Sequence, residues 1–321
     1  MNLLFLRGQV PTDRDPEEIV FDSIKECDDV WTQLAYAMTH EEDNAELWYW
    51  GGDRAHKFSS NFIERWVPSF KNTYSDFTPT VIFCRGGFLE YHTILKRFPD
   101  AIKIYYGAGR RYMPQPGFID YNLILVDSQK QLEVIRKSVI FNNSMSSLFI
   151  KPAADNIFYP VKSKKEYDVC FIGNGSQFKL KNHKFIYETV PSDIKLLNLG
   201  NKSPIAYPSN VTSYRVLRSD MRNHICKCKM GIVATGAVDS CPRIIPELLS
   251  CGLPIVVLDS VHFWKEKYIT KGTGAVANTT NFWPTVRGVL SNYNKYHARE
   301  YYVNTLSLGY AAMFIRNLIT N

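Results

Sequence analysis

Nowhere in the 321 residues do apolar side chains run together for the roughly 20 positions that a membrane-spanning helix needs, so no such segment is expected. The opening stretch MNLLFLRGQVPTDRD lacks a basic leader and turns acidic too early for a secretory signal. A cytoplasmic location, of a cell or of an infected host, follows as the expectation. The seven cysteines, at positions 27, 84, 170, 226, 228, 241 and 251, stand mostly among apolar neighbours. That placement speaks for reduced, buried thiols and against a disulfide framework. Cys226-Lys227-Cys228 is too tightly spaced for a zinc pair, and no second pair completes four ligands. There is no convincing Asp-x-Asp cluster for a divalent ion, and neither a metal nor a cofactor is expected. Zinc fingers, RNA-recognition signatures and an arginine-rich tail are also missing. What charge there is favours cations, 38 Lys and Arg against 31 Asp and Glu, and a net +7 calls for anionic partners. With 45% hydrophobic and 21% charged residues the chain has a globular balance, and it is long enough for two domains with their own cores.

Strands and helices alternate along it. Apolar runs at residues 2–6, 46–50, 80–84, 102–106 and 121–127 read as strands of the first half. Residues 17–39 read as a helix, 88–98 as another, and Ser128 as the cap of a third that runs to Ile135. Phe58, Phe62, Trp66 and Phe70 recur at four-residue steps and are read as core in preference to an exposed sugar platform. Two strands run straight into glycine, the first at Gly8 and the third at Arg85-Gly86-Gly87. Such turns bring backbone amides close to a ligand, and an arginine beside one can meet a phosphate or another oxygen. The plainer alternative is a loop with a surface arginine, and His92 in the next helix is equally a core or surface histidine.

A polar stretch at 162–168 divides the chain near its midpoint. Beyond it, residues 169–172 form a strand followed by Gly173-Asn174-Gly175-Ser176, then by Lys179, Lys181 and Lys184. These lysines are either a phosphate clamp or a solvated helix start. Residues 194–199 and 231–234 read as further strands, 214–228 as a basic, partly amphipathic segment, 263–268 as a helix and 272–276 as a last strand. Two doubly wound halves fit this order better than one even barrel series.

The chain is organised around residues 239–259, DSCPRIIPELLSCGLPIVVLD. Ile244, Ile245, Leu248 and Leu249 make one helical face, Pro242 and Pro246 fall early where missing amide donors cost least, and Gly252 ends the helix. Ile255, Val256 and Val257 then form a buried strand. Glu247 is out of place in such a helix unless a ligand gives its carboxylate something to hold; the bland alternative makes Glu247 a cap of its own helix and Asp239 a loop cap.

Asp239, seven residues, Glu247, then Cys251, Gly252, Pro254 and Val256 resembles the donor-binding motif of GT-B-fold, nucleotide-sugar-dependent glycosyltransferases, in the retaining group similar to glycogen and sucrose synthases. The resemblance implies an α/β chain of two Rossmann-like domains facing across a cleft: residues 1–160 on the acceptor side, 161–300 for the nucleotide-sugar donor, and 301–321 a terminal helix packing back on the first. It implies that Glu247 accepts the ribose hydroxyls and that Asp239 lies beside the transferred sugar. Arg243, Lys181 and His92 are the expected catalytic residues, and Gly8, Arg85, Gly173, Asn174 and Lys179 the expected donor contacts. Asp239 stands where the family usually has Glu, Asn174 where it has arginine, and Ser240-Cys241-Pro242-Arg243 where it has a glycine-rich turn. The co-substrate implied is a UDP- or GDP-sugar, and the acceptor a glycan, a lipid-linked glycan or a hydroxylated DNA base, with peripheral membrane contact allowed by the charge. The competing reading is a non-catalytic GT-B-like module that binds glycan or nucleic acid.

Overall fold

The computed structural model describes residues 1–8, 23–27, 29–70, 76–86, 90–107, 121–141, 143–201, 203–236 and 241–320. The chain divides into two compact units, Met1–Ile150 with Ala311–Asn321, and Lys151–Tyr310.

In the first unit the apolar run at the start forms β1 (Asn2–Arg7), buried on both faces and paired in parallel with β2 (Asn44–Trp50) and β5 (Val81–Arg85). Around them lie β3 (Arg54–Ser59), β4 (Phe62–Val67), β6 (Ile102–Gly107), β7 (Leu123–Val126) and β8 (Met145–Leu148). Among the described residues these make one sheet in the order β3-β4-β2-β1-β5-β6-β7-β8, parallel except for β3 against β4. The four-residue aromatic spacing therefore belongs partly to strands, since a step of four is also a multiple of the two-residue strand period. Phe62, Trp66 and Phe70 are buried, as a core reading requires.

Helix α1 (Val30–Met38) begins later than residue 17, and residues 23–26 form a turn. Asp29 sets the start, its carboxylate accepting from Thr32 N at 3.0 Å, an N-cap that satisfies one orphan amide. Helix α2 spans Tyr91–Arg97, and α3 (Gln129–Lys137) carries the expected Ser128 cap, with Gln131 N donating to Ser128 Oγ at 3.3 Å.

The second unit holds β9 (Tyr167–Ile172), β10 (Leu196–Leu199), β11 (Val211–Tyr214), β12 (Cys228–Val233), β13 (Ile255–Leu258) and β14 (Gly274–Ala277). Among the described residues they pair in parallel in the order β11-β10-β9-β12-β13-β14. The unit's helices are α4 (His183–Thr189), α5 (Met221–Ile225), α6 (Ile244–Ser250), α7 (Lys265–Tyr268), α8 (Phe282–Leu290) and α9 (Ala298–Thr305), while α10 (Leu308–Thr320) belongs to the first unit from Ala311 onward. The segment 214–228 is not one amphipathic element. Leu217 lies 74% exposed while Ile225 is buried, because a strand end, a 3-10 turn and a short helix follow one another there. In the last part of α10, Arg316 donates to Met38 O at 2.7 Å and ion-pairs with Asp43, both in the first unit. No described helix is long and apolar enough to cross a membrane, and all seven cysteines are buried and in no disulfide.

Helix α6 ends as its sequence implies. Gly252 has φ +83, Gly252 N donates to Leu249 O at 2.9 Å and Leu253 N to Leu248 O at 3.0 Å, the paired bonds of a Schellman cap. The helix packs on β12 at Gly231, where a Cβ would lie 2.5 Å from Leu248 Cδ1. Gly231→Ala should therefore cost about 1–3 kcal/mol through overpacking. Urea denaturation measures this, and a wild-type midpoint would show that Leu248 yields freely.

Candidate functional site

Parallel sheets leave their ligand crevice where successive connections depart in opposite directions, at the carboxyl ends of the strands. In the second unit that reversal falls between β9 and β12, so the crevice is bounded by Gly173 and by Ala234-Thr235-Gly236. A Cβ on Gly173 would lie 2.3 Å from His183 Nε2 and 2.9 Å from the Phe171 ring, so only glycine fits. Gly175 N donates to Asn201 O at 3.0 Å, and Asn174 Oδ1 accepts from Ser176 N at 3.3 Å, which keeps the turn tight. Gly236 N donates to Leu180 O at 2.8 Å, tying the lysine-bearing segment to the end of β12. Lys179 is exposed and Lys181 half-buried; Asn182, left-handed at φ 57, then turns the chain into α4. The structure thus brings Gly173, Asn174, Lys179 and Lys181 together at one strand end.

Arg243 stands at the N-terminus of α6, exposed and in no ion pair among the described residues. Two residues earlier Cys241 has φ 46, a left-handed conformation uncommon for a residue with a side chain and characteristic of strained functional turns. Asp239 lies outside the described residues. Glu247, one turn into α6, is 3% exposed, and its Oε1 accepts from Arg218 Nη2 at 2.7 Å. The second oxygen, Oε2, accepts from no described residue. The carboxylate is turned to Arg218 and not to the amides of its own helix, which argues against a capping role.

Two further residues were not singled out from sequence. His183 is fully buried, and neither ring nitrogen has a partner among the described residues. Burial, with Lys181 adding, pushes its pKa down to about 4, so the ring is neutral near pH 7. Thr235 Oγ1, at the end of β12, is likewise buried without a partner. Unpaired buried polar atoms are costly, and their gathering at a strand-order reversal marks a place shaped for something else.

In the first unit the strand order reverses between β1 and β5, so the crevice lies at Gly8 and at Arg85-Gly86. Arg7 and Arg85 are register partners across that boundary. Arg7 Nη1 lies 2.5 Å from Asp29 Oδ2 and donates to Tyr49 Oη at 3.1 Å, and Tyr49 donates to Asp29 Oδ2 at 3.0 Å. Burial opposes both charges. The pair nevertheless overcomes it, holding Arg7 above and Asp29 below its ordinary range. The Arg85 guanidinium carbon is 4.6 Å from the Trp31 ring centre, and Tyr91 Oη donates to the Arg85 carbonyl at 3.0 Å. His92 is half-buried in the first turn of α2; burial lowers its pKa, Lys96 adds to this and Glu90 opposes it. Gly8, Arg85 and His92 thus share the carboxyl-end side of this sheet. The ligand atoms of His40, Glu42 and Asp43 lie within 4.8 Å of one another, but at the amino end of β2, and Asp43 already holds the Met1 amine and Arg316.

With both sheets, their order and their crevices defined, the chain can be compared with known proteins. Solved structures align with it over nearly their whole length. A sucrose-phosphate synthase from Thermosynechococcus elongatus aligns at TM-score 0.70 and 10% identity, covering 99% of this chain and 98% of that one. The fold is GT-B. A glycosyltransferase from Rickettsia africae ESF-5 gives 0.68 at 10% identity over 99% and 97%, and the lipopolysaccharide outer core galactosyltransferase WaaB 0.65 at 12% over 100% and 99%. No protein-family model and no curated protein sequence matches the chain. The likeness is therefore one of GT-B architecture.

The Arg7–Asp29 pair gives this part of the structure a pH signature. A carboxylate whose native pKa is depressed stabilises fully above its ordinary value of 3.8, and that contribution is lost as pH falls below it. Asp29→Asn should cost about 3–5 kcal/mol at pH 7 by leaving Arg7 buried and unpaired. Its urea midpoint should also fall less than the wild type's between pH 6 and about pH 3. Parallel pH curves would contradict the assignment.

Proposed function

We propose that the chain is a glycosyltransferase that moves a sugar from a nucleoside diphosphate to a hydroxyl acceptor. The observation that carries this is Glu247, a buried carboxylate with an uncommitted oxygen on a helix whose N-terminus borders the crevice of the second unit. A carboxylate there is suited to ribose hydroxyls, because an ionised oxygen pair accepts from neighbouring donors. The GT-B fold, and solved neighbours whose names are those of sugar transferases, support the same reading.

On this reading the second unit holds the donor, a UDP- or GDP-sugar, and the first unit the acceptor, with Gly8, Arg85 and His92 on its side. The C1–O bond to the diphosphate breaks as the acceptor oxygen forms its bond to C1; the diphosphate leaves with the electron pair, and its departing oxygen takes the proton that the acceptor hydroxyl gives up. Lys181, Lys179, Arg243 and the amides at Gly173 and Asn174 stabilise the charge developing on that leaving group. Asp239 orients the transferred sugar, and the anomeric configuration is retained. These cations supply the neutralisation, so activity should persist in excess chelator, and a complete loss reversed by magnesium would count against the scheme. The acceptor is a glycan, a lipid-linked glycan or a hydroxylated DNA base; transfer of radiolabel from the donor to each polymer distinguishes them.

Glu247→Ala should weaken nucleoside diphosphate binding by about 2–3 kcal/mol, roughly 30- to 150-fold, and Glu247→Gln by less. Asp239→Asn should lower turnover more than it weakens that binding. Calorimetry with UDP and GDP tests the first expectation; unchanged affinity in a folded Glu247→Ala would sink the ribose assignment. Binding without any sugar transfer would mark a silent binding module.

A further inference from the structure

Arg218 opens the 3-10 turn Arg218–Asp220, which leads from β11 toward α5, and it reaches Glu247 across 29 positions of sequence. Its Nη2 donates to Oε1 at 2.7 Å, while its guanidinium carbon lies 5.0 Å from the centre of the Phe158 ring. Phe158 is fully buried, and its carbonyl accepts from Ser250 Oγ, at the end of the helix that carries Glu247. The guanidinium thus lies between a buried ring and the carboxylate. A planar guanidinium lying against a ring presents its N–H in a set direction and so fixes the rotation of the carboxylate it bonds, whereas a flexible ammonium only neutralises it. Oε1 already accepts from Arg218 Nη2 and Oε2 accepts from no described residue, so a ligand finds the two oxygens unequal.

We propose that Arg218 is a positioning residue for nucleotide recognition: by holding Oε1 it aims Oε2 of Glu247 at the ribose hydroxyls. The inference rests on the reading of Glu247 as the ribose acceptor. It assigns Arg218 no contact with the substrate. Arg218 acts through the angle at which Glu247 is presented, so its effect depends on whether the nucleotide has hydroxyls to offer.

The test uses whichever of UDP, GDP and ADP binds the full chain most tightly, together with its 2′,3′-dideoxy counterpart. Arg218→Lys keeps the charge without the planar guanidinium, and Arg218→Met removes both. Arg218→Met should weaken the ribonucleotide about 10-fold and Arg218→Lys about 5-fold, while the dideoxy nucleotide changes less than about 2-fold in either. Should Arg218→Met fold too poorly to titrate, Arg218→Lys carries the comparison alone. Equal weakening of both nucleotides would overturn the inference, since it marks a general structural or electrostatic effect. So would wild-type ribonucleotide affinity in the Arg218 variants while Glu247→Ala is impaired. If Glu247→Ala itself binds the ribonucleotide as the wild type does, the ribose reading fails and this inference falls with it.

Discussion

In a parallel sheet each connection must leave over one face and return, and where two of them depart in opposite directions the strand ends between them are left uncovered. Both units are built around that constraint. Their first strands, β1 and β9, are central, and each stands beside the strand at which the order reverses. The candidate site residues lie at those uncovered ends: Gly8 and Arg85 in one unit, Gly173 and the end of β12 in the other. The glycine at 173 has a steric cause, since His183 occupies the space a side chain would need.

The two crevices manage charge differently. In the first unit Arg7 is neutralised by Asp29 and shares Tyr49 with it, a closed arrangement that rigidifies the strand end. In the second, Lys179 and Arg243 are exposed, and the paired charge is the acidic one, Glu247 with Arg218. An anion would meet uncommitted cations near β9 and α6, and a hydroxyl-rich group would meet Oε2 of Glu247. Such a division of labour suits a ligand with a phosphorylated part and a sugar part.

Much of this was legible in the chain itself. Central strands announced themselves because they are buried on both faces, and Glu247 because a carboxylate interrupts an apolar helix face. Gly252 and Ser128 marked helix ends through local chemistry that needs no partner elsewhere. Edge strands were harder: β8 and β11 are short, half-exposed and rich in Ser and Thr, so no apolar run betrays them. The hairpin of β3 and β4 was concealed by an aromatic step compatible with either period. Start signals of α1 were overrun because apolar residues continue upstream of Asp29, and only the cap geometry separates turn from helix. Long-range partners were invisible for another reason. Arg7 meets Tyr49 over 42 positions and Arg218 meets Glu247 over 29, and nothing local in either arginine's neighbourhood encodes the other end.

The central claim is that the reversal between β9 and β12 binds a nucleoside diphosphate. Hydrogen exchange of the full chain, read peptide by peptide with and without saturating UDP or GDP, tests it most directly. The account predicts added protection in peptides covering residues 173–182 and 243–250, with the distant edge at β14 unchanged. Tight binding that protects neither segment would contradict it.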